Sequence, residues 1–180
     1  MIINCAYIDG SYNEKDRVYG AGVILFDQFG EGHVIVSRKK DKYGCSMRNV
    51  AGEVLAATLA IRYAIKHKMN CLHIYYDYEG IRCWATKEWR RNNEITKEYS
   101  NYVDFVTCYQ NLIELEFFHI KSHSGDELNE KVDKIAYKVA HIGKKSIPIS
   151  NTFERVTDSI RHILSSVVRF QISIDEWEDQ

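Results

Sequence analysis

The order of hydrophobic periodicities constrains the fold most, because three β-rich runs come first and helical spacing begins only after them. Residues 2–9, 19–26 and 33–37 are rich in β-branched and aromatic side chains. The first run ends at an Asp-Gly-Ser turn, and links this short favour an antiparallel meander. From residue 49, with Asn49 as the expected N-cap, apolar side chains recur at helical spacing to about residue 68. The pattern therefore predicts a sheet covered by helices, which is an α/β fold.

Strand and helix alternate in the second half of the sequence. The predicted elements are a buried strand at 71–76, helices at 78–89 and 95–109, a strand at 113–120 and a strong helix at 127–140. A polar stretch at 38–48 separates the meander from the helix that begins at residue 49. Strand–helix–strand connections are right-handed and give parallel pairing. We therefore predict one mixed five-stranded sheet flanked by helices.

The composition changes after Gly143, and an apolar stripe predicts an amphipathic helix there. Its members are Phe153, Val156, Ile160, Ile163, Val167 and Phe170. We divide the chain into a main domain, 1–143, and a C-terminal helical extension of unknown role, 144–180. The extension is expected to pack back on a monomer, with a dimer or partner contact through this tail as the alternative. Its acidic end, 172–180, is expected to fray.

Charge and cysteine usage exclude several classes of protein. The 24 basic residues nearly balance the 25 acidic ones, so net charge indicates no particular partner. No apolar run is long enough to span a membrane, and the N-terminus lacks the pattern of a secretory signal. The five cysteines form no CxxC pair, which argues against a disulfide framework or zinc knuckle and favours the cytoplasm.

Four carboxylates stand where the predicted elements could bring them together. Asp9 and Asp77 end two predicted strands, Glu53 lies one turn into the first helix, and Asp133 lies beside the apolar face of the last. If the two strands are neighbours, both aspartates emerge at the same edge of the sheet. Four such acids would repel one another unless protons or cations neutralised them, and oxygen ligands suit Mg²⁺ or Mn²⁺ rather than zinc.

Each acid also has a purely structural interpretation. The Asp9-Gly pair is typical of a turn. Glu53 could complement the helix dipole, and Asp77 could cap the helix that follows it. Asp133 could be one more solvated acid on a lysine-rich helix. The four residues taken one at a time leave these alternatives open.

Four motifs in a fixed order resemble the type 1 ribonuclease H family. They are YIDGSYN at 7–13, NVAGEVLAATLA at 49–60, IYYDYEGI at 74–81 and HIKSHSGDELNEKVDKIA at 119–136. The resemblance covers about residues 1–141 and includes the order of the predicted elements. Because the sequence starts at the first strand, we expect no separate N-terminal hybrid-binding module of the kind found in some relatives.

The resemblance implies hydrolysis of the RNA strand of RNA–DNA hybrids, giving 5′-phosphate and 3′-hydroxyl ends. By motif, Asp9, Glu53, Asp77 and Asp133 are the expected ligands of two Mg²⁺ ions, with Mn²⁺ as a substitute. His123 has the place of a loop histidine that assists proton transfer or product release, although a lone loop histidine is ordinarily only a surface residue. The alternatives are an inactive nucleic-acid-binding module and the same fold acting on a different nucleic acid.

Candidate substrate-binding residues fall into two groups. Asn49 and the backbone around Gly10 and Ser11 are expected near the 2′-hydroxyls of the RNA strand. A second group interleaves basic and aromatic residues, which suits contact with the DNA strand. It consists of Lys87, Trp89, Arg90 and Arg91. Trp84 is expected in the core, and Asp126 is expected to be the N-cap of the last helix.

Overall fold

A computed structural model of the chain describes residues 3–89, 97–122, 124–142 and 170–177. The strands are β1 (Cys5–Asn13), β2 (Val18–Phe26), β3 (Gly32–Lys39), β4 (Cys71–Tyr76), β5 (Glu114–His119) and β6 (Phe170–Trp177). The helices are α1 (Lys42–Met47), α2 (Asn49–Lys66), α3 (Gly80–Ala85), α4 (Lys97–Tyr109) and α5 (Glu127–His141). No helix in these ranges combines the length and apolar character that crossing a membrane requires.

The strands form one mixed sheet in the order β5-β4-β1-β2-β3-β6. β1, β2 and β3 pair antiparallel as a meander, whereas β1 pairs with β4, and β4 with β5, in parallel. The predicted mixed sheet of five strands flanked by helices is therefore confirmed. Because β1 pairs with β4, the strand that carries Asp9 lies directly beside the strand that precedes Asp77.

A sixth strand at the C-terminal end was not predicted. β6 pairs in parallel with β3, from Gly32↔Phe170 to Arg38↔Trp177. The helical interpretation is therefore wrong for Phe170, as is the expected fraying of residues 172–177. Apolar and polar residues alternate from Phe170 to Asp175, which is a strand pattern, and the edge of β3 offers unpaired backbone groups. The rest of the apolar stripe lies outside the described residues, and the domain boundary at 143 stays a prediction.

The predicted ends of β1 and of α3 are wrong. β1 continues through Asp9, Gly10 and Ser11, because each of them pairs with β2. The turn comes later, at residues 14–17. α3 is shorter than the predicted 78–89, since Lys87 has a left-handed backbone with φ 63° that a helix cannot continue.

The polar stretch before α2 contains a short helix, α1, which was not predicted. Asp41 caps it by accepting a hydrogen bond of 2.7 Å from the backbone N–H of Gly44. The predicted N-cap role of Asn49 is wrong, because α2 already includes Asn49. Arg48 occupies the N-cap position with φ 55°.

Two core clusters lie on opposite faces of the sheet. In β2 and β3, Val23, Leu25 and Ile35 belong to the larger cluster with α2, whereas the alternating residues Ile24 and Val34 belong to the smaller cluster with α5. Side chains of a strand alternate between faces, so α2 and α5 cover opposite sides. The site described next lies where the sheet meets both helices.

Candidate active site

Parallel register places Asp9 and Asp77 at the same edge of the sheet. Tyr7 pairs with Tyr75, and each aspartate follows two residues later. Asp9 is buried within β1, whereas Asp77 is half-buried just beyond the end of β4. The predicted approach of these two carboxylates is therefore what the register produces.

Two facing glycines bring α2 against β1 and carry Glu53 to the aspartates. A Cβ on Gly10 would overlap with the backbone N of Glu53 and lie 2.6 Å from the carbonyl oxygen of Asn49. A Cβ on Gly52 would lie 2.7 Å from Gly10 Cα. Because glycine has no Cβ, the helix backbone can touch the strand at these two positions. Glu53 is consequently buried beside Asp9.

Three carboxylates form the tightest group of the site. One oxygen each of Asp9, Glu53 and Asp77 lies within 4.8 Å of the others. Asp133 stands outside this group, but it lines the same cavity of about 420 Å³ from α5. All four predicted acids therefore face one cavity, which is open enough to admit ions and water.

Burial and mutual repulsion make this group electrostatically costly. Burial raises the pKa of Asp9 to about 7, opposed by a hydrogen bond with Glu53 and assisted by the charges of Asp77 and Asp133. Burial, followed by the negative charge of Asp9, raises the pKa of Glu53 well above its ordinary value. The fully ionised cluster therefore requires compensation by protons or cations.

Two buried oxygens at the cavity lack hydrogen-bond partners within the described ranges. They are Oε2 of Glu53 and Oδ1 of Asn129. Asn129 is 5% exposed and lines the cavity from α5, one helical turn before Asp133. It was not among the predicted site residues, although its spacing to Asp133 places both on one face of the helix. Both oxygens are available to a cation or to ordered water.

Asp77 is held by a residue that the sequence reasoning also missed. The Ser122 hydroxyl donates a hydrogen bond of 2.9 Å to Oδ2 of Asp77. The side chain of Asp77 caps no helix among the described elements, so the capping alternative is not supported. Ser122 lies in the 119–136 motif, directly before His123. His123 itself lies outside the described residues.

The RNA-side candidates divide between the cavity and its surroundings. Gly10 and the exposed Asn49 both line the cavity. Ser11 is half-buried and follows Gly10 in β1. Gly10 has a structural role through its close packing on α2, and this role is independent of any contact with a substrate.

The basic and aromatic group is described only in part. Trp84 is 6% exposed, which confirms its expected place in the core. Trp89 is 43% exposed and meets Trp84 edge-on, with ring centroids 5.4 Å apart. Lys87 is exposed as well, while Arg90 and Arg91 lie outside the described residues. Asp126, expected as an N-cap, accepts hydrogen bonds from the N–H groups of Leu128 and Asn129 and caps α5.

Comparisons with known proteins identify the family and the fold of the chain. A family model described as RNase H matches residues 4–141. RNase H1 from the halophilic archaeon Halobacterium salinarum NRC-1 superposes with a TM-score of 0.57 and 15% identity, over 76% of this chain and 96% of that one. LC11-RNase H1, isolated from compost by a metagenomic approach, gives a TM-score of 0.55 and 17% identity, over 73% and 91%.

A further structure, of LC11-RNase H1 in complex with an RNA/DNA hybrid, gives a TM-score of 0.52 and 17% identity, over 68% of this chain and 88% of that one. No curated protein matches the chain. At these identities the solved structures establish a shared fold, and the family match establishes a shared sequence pattern over more than half of the chain.

Proposed function

The chain belongs to the RNase H family, and from this premise we propose that it is a metal-dependent endonuclease that hydrolyses the RNA strand of RNA–DNA hybrids. One observation carries the proposal. Asp9, Glu53 and Asp77 offer oxygens within 4.8 Å of one another in an open cavity that Asp133 also lines. A cluster kept only for stability would not concentrate uncompensated acids at a solvent-accessible edge.

The four acids fit divalent cations. Oxygen donors suit Mg²⁺ or Mn²⁺, and Oε2 of Glu53 is buried without a partner in the described part of the chain. Cations would offset the burial and the repulsion by neighbouring carboxylates that together raise the pKa of Asp9 to about 7. We propose that Asp9, Glu53, Asp77 and Asp133 hold two Mg²⁺ ions, with Mn²⁺ as a substitute.

When bound, such ions lower the pKa of water and stabilise the charge on the leaving oxygen of a phosphodiester. The protein supplies position and protonation state. Ser122 fixes the carboxylate of Asp77 through its hydrogen bond, and Asn129 presents an unpaired amide oxygen to the cavity. We propose that His123 assists proton transfer or product release. The products would carry 5′-phosphate and 3′-hydroxyl ends.

Hybrid recognition is proposed for two groups of residues, one at the cavity and one in the segment that follows α3. Asn49 lies at the cavity and can offer its amide to a 2′-hydroxyl, the group that distinguishes RNA from DNA. We assign contacts with the RNA strand also to Gly10 and Ser11. Contacts with the DNA strand are assigned to Lys87, Trp89, Arg90 and Arg91. The LC11 neighbour solved with an RNA/DNA hybrid supports this class of substrate.

A three-substrate assay tests the proposal. End-labelled RNA–DNA hybrid, duplex DNA and duplex RNA of one sequence are incubated with the chain in Mg²⁺ or in EDTA. Asp9→Asn is the inactive reference, because it removes a charge from the cluster while keeping an oxygen that can accept the 2.6 Å hydrogen bond from Gly10 N–H.

We expect Mg²⁺-dependent cleavage of the RNA strand of the hybrid alone, and near-complete loss of it in Asp9→Asn. Binding of the hybrid without cleavage would identify an inactive module instead. Preferential cutting of duplex DNA would move the chain to another substrate, and normal turnover by Asp9→Asn in Mg²⁺ would refute the metal assignment.

A further inference from the structure

A second cluster of metal-ligating side chains lies at the β2–β3 turn, away from the four acids. Asp27 directly follows Phe26, which pairs with Cys5, four residues before Asp9 on β1. The four residues from Cys5 to Asp9 span about 13 Å along the strand. Oxygen or nitrogen atoms of Asp27, Glu31 and His33 lie within 4.8 Å of one another. All three line a separate cavity of about 390 Å³.

The β2–β3 turn occupies one carboxylate oxygen of Asp27, Oδ1, and leaves the other, Oδ2, for a ligand. Its Oδ1 accepts hydrogen bonds of 2.8 Å from the N–H of Phe29 and 2.9 Å from that of Glu31. Backbone hydrogen bonds from Asp27 N to Glu31 O and from Gly30 N to Asp27 O close the same turn. Oδ2 is left facing His33. Burial raises the pKa of Asp27, but the N–H donors and His33 outweigh it and lower the pKa, so the carboxylate stays anionic.

The imidazole of His33 is buried without a hydrogen bond of normal length. His33 is 6% exposed, and its Nε2 lies 3.4 Å from Oδ2 of Asp27. Typical N–H···O bonds are about 2.7–3.2 Å long. The other nitrogen, Nδ1, has no partner among the described residues. A ring this deeply buried normally has hydrogen-bonded nitrogens, and here the nitrogen that faces the carboxylates, Nε2, has only the long contact with Oδ2 of Asp27 in the ranges that the structure describes.

The spacing of these atoms matches that of ligands around a small cation. Two ligands about 2.1 Å from a tetrahedral ion stand about 3.4 Å apart. This is the separation of His33 Nε2 from Asp27 Oδ2. Glu31 is exposed, so its side chain can rotate to supply a third ligand without disturbing the core. The same separation is longer than that of a well-formed charge-assisted hydrogen bond, which is about 2.7–2.9 Å.

We propose that Asp27, Glu31 and His33 form a separate site for a divalent transition-metal ion of the Zn²⁺ class. One imidazole nitrogen and two carboxylate oxygens suit Zn²⁺ or Co²⁺ better than Mg²⁺, which prefers oxygen alone. Water completes the coordination. The bound ion would join the β2–β3 turn to the start of β3 and would stabilise the folded chain by mass action.

Zinc titration of the full chain tests the site. Calorimetry with ZnCl₂ is run with Mg²⁺ in excess, so that Mg²⁺ competes for the Asp9 cluster. Asp27→Asn retains the Oδ1 acceptor that the turn needs and replaces only Oδ2, and Glu31→Gln changes an exposed side chain. His67→Gln is the matched control, because His67 lines the same cavity and lies outside the proposed ligand set.

We expect saturable binding of one Zn²⁺ outside the Asp9 cluster, and at least about tenfold weaker binding in Asp27→Asn and in Glu31→Gln. Changes that only orient a ligand already cost about 10–100-fold in affinity, so loss of a ligand costs no less. His67→Gln should bind as the wild type does. Zn²⁺ should raise the melting temperature of the wild type and not that of Asp27→Asn. Wild-type affinity in both ligand variants would overturn the proposal.

Discussion

Replacing Asp9 by asparagine should stabilise the folded chain at alkaline pH in the absence of divalent ions, while it removes activity. Asp9 is buried beside Glu53, and its pKa is raised from 3.8 to about 7. Between these two pH values the folded state holds a proton that the unfolded state has lost. The free energy of unfolding therefore falls as pH rises through this window and levels off above about pH 7.

The size of the effect follows from the shift. A rise from 3.8 to about 7 corresponds to a destabilisation of about 4 kcal/mol above pH 7, at about 1.4 kcal/mol for each pH unit. Water in the open cavity screens part of it, so we expect Asp9→Asn to gain about 2–4 kcal/mol at pH 8. Below pH 4 the variant and the wild type should be equally stable. Mg²⁺ should narrow the difference at pH 8, because it compensates the wild-type cluster.

Urea unfolding followed by circular dichroism at pH 4 and pH 8, in EDTA and in Mg²⁺, measures these differences. For a chain of this size, a gain of this magnitude raises the melting temperature by about 4–16 °C. Asp126→Asn is the matched control, because asparagine caps a helix as well as aspartate does and α5 should keep its cap. If Asp9→Asn proved less stable than the wild type at pH 8 in EDTA, the electrostatic account of the cluster would fail.

Three further changes examine the site. Gly10→Ala places a Cβ onto the backbone N of Glu53. We expect the free energy of unfolding, measured in urea, to fall by about 3 kcal/mol or more, and activity to be lost as well. Ser122→Ala frees the carboxylate of Asp77, so the Mg²⁺ concentration for half-maximal cleavage should rise about tenfold or more; an unchanged Mg²⁺ titration would contradict this. His123→Ala should slow single-turnover cleavage about a hundredfold or more without abolishing it, and complete inactivity would show a larger role.

The fold and the acid cluster could be predicted because several levels of pattern agree on them. Periodicity separated strands from helices, and the short links indicated a meander. The parallel register then fixes where Asp9 and Asp77 emerge, so their approach follows from topology. The helical spacing of Glu53 and Asp133 alone did not distinguish ligands from solvated acids. The order of the four motifs is what favoured the interpretation as ligands.

The misses have physical causes as well. An Asp-Gly pair ordinarily predicts a turn, but Gly10 stays in β1, where it pairs with Ala21 and its missing Cβ lets α2 pack closely. β6 was not predicted because its apolar residues directly follow a stripe with helical spacing. Its pairing partner, β3, is also far away in the sequence, so no local pattern indicates the pairing. Ser122 gave no signal, since a serine in a loop is ordinary until its hydroxyl is seen on Asp77.

The contact between Gly10 and Gly52 joins stability and function in one feature. It allows the backbone of α2 to touch β1, and this approach is what buries Glu53 next to Asp9. The same burial raises the pKa of both carboxylates, so the fold is weakened wherever the acids are ionised and uncompensated. A looser crossing would relieve that repulsion but would also separate the oxygens that are proposed to hold the cations. The tight packing that costs stability is therefore also what would favour the proposed cations at this edge of the sheet.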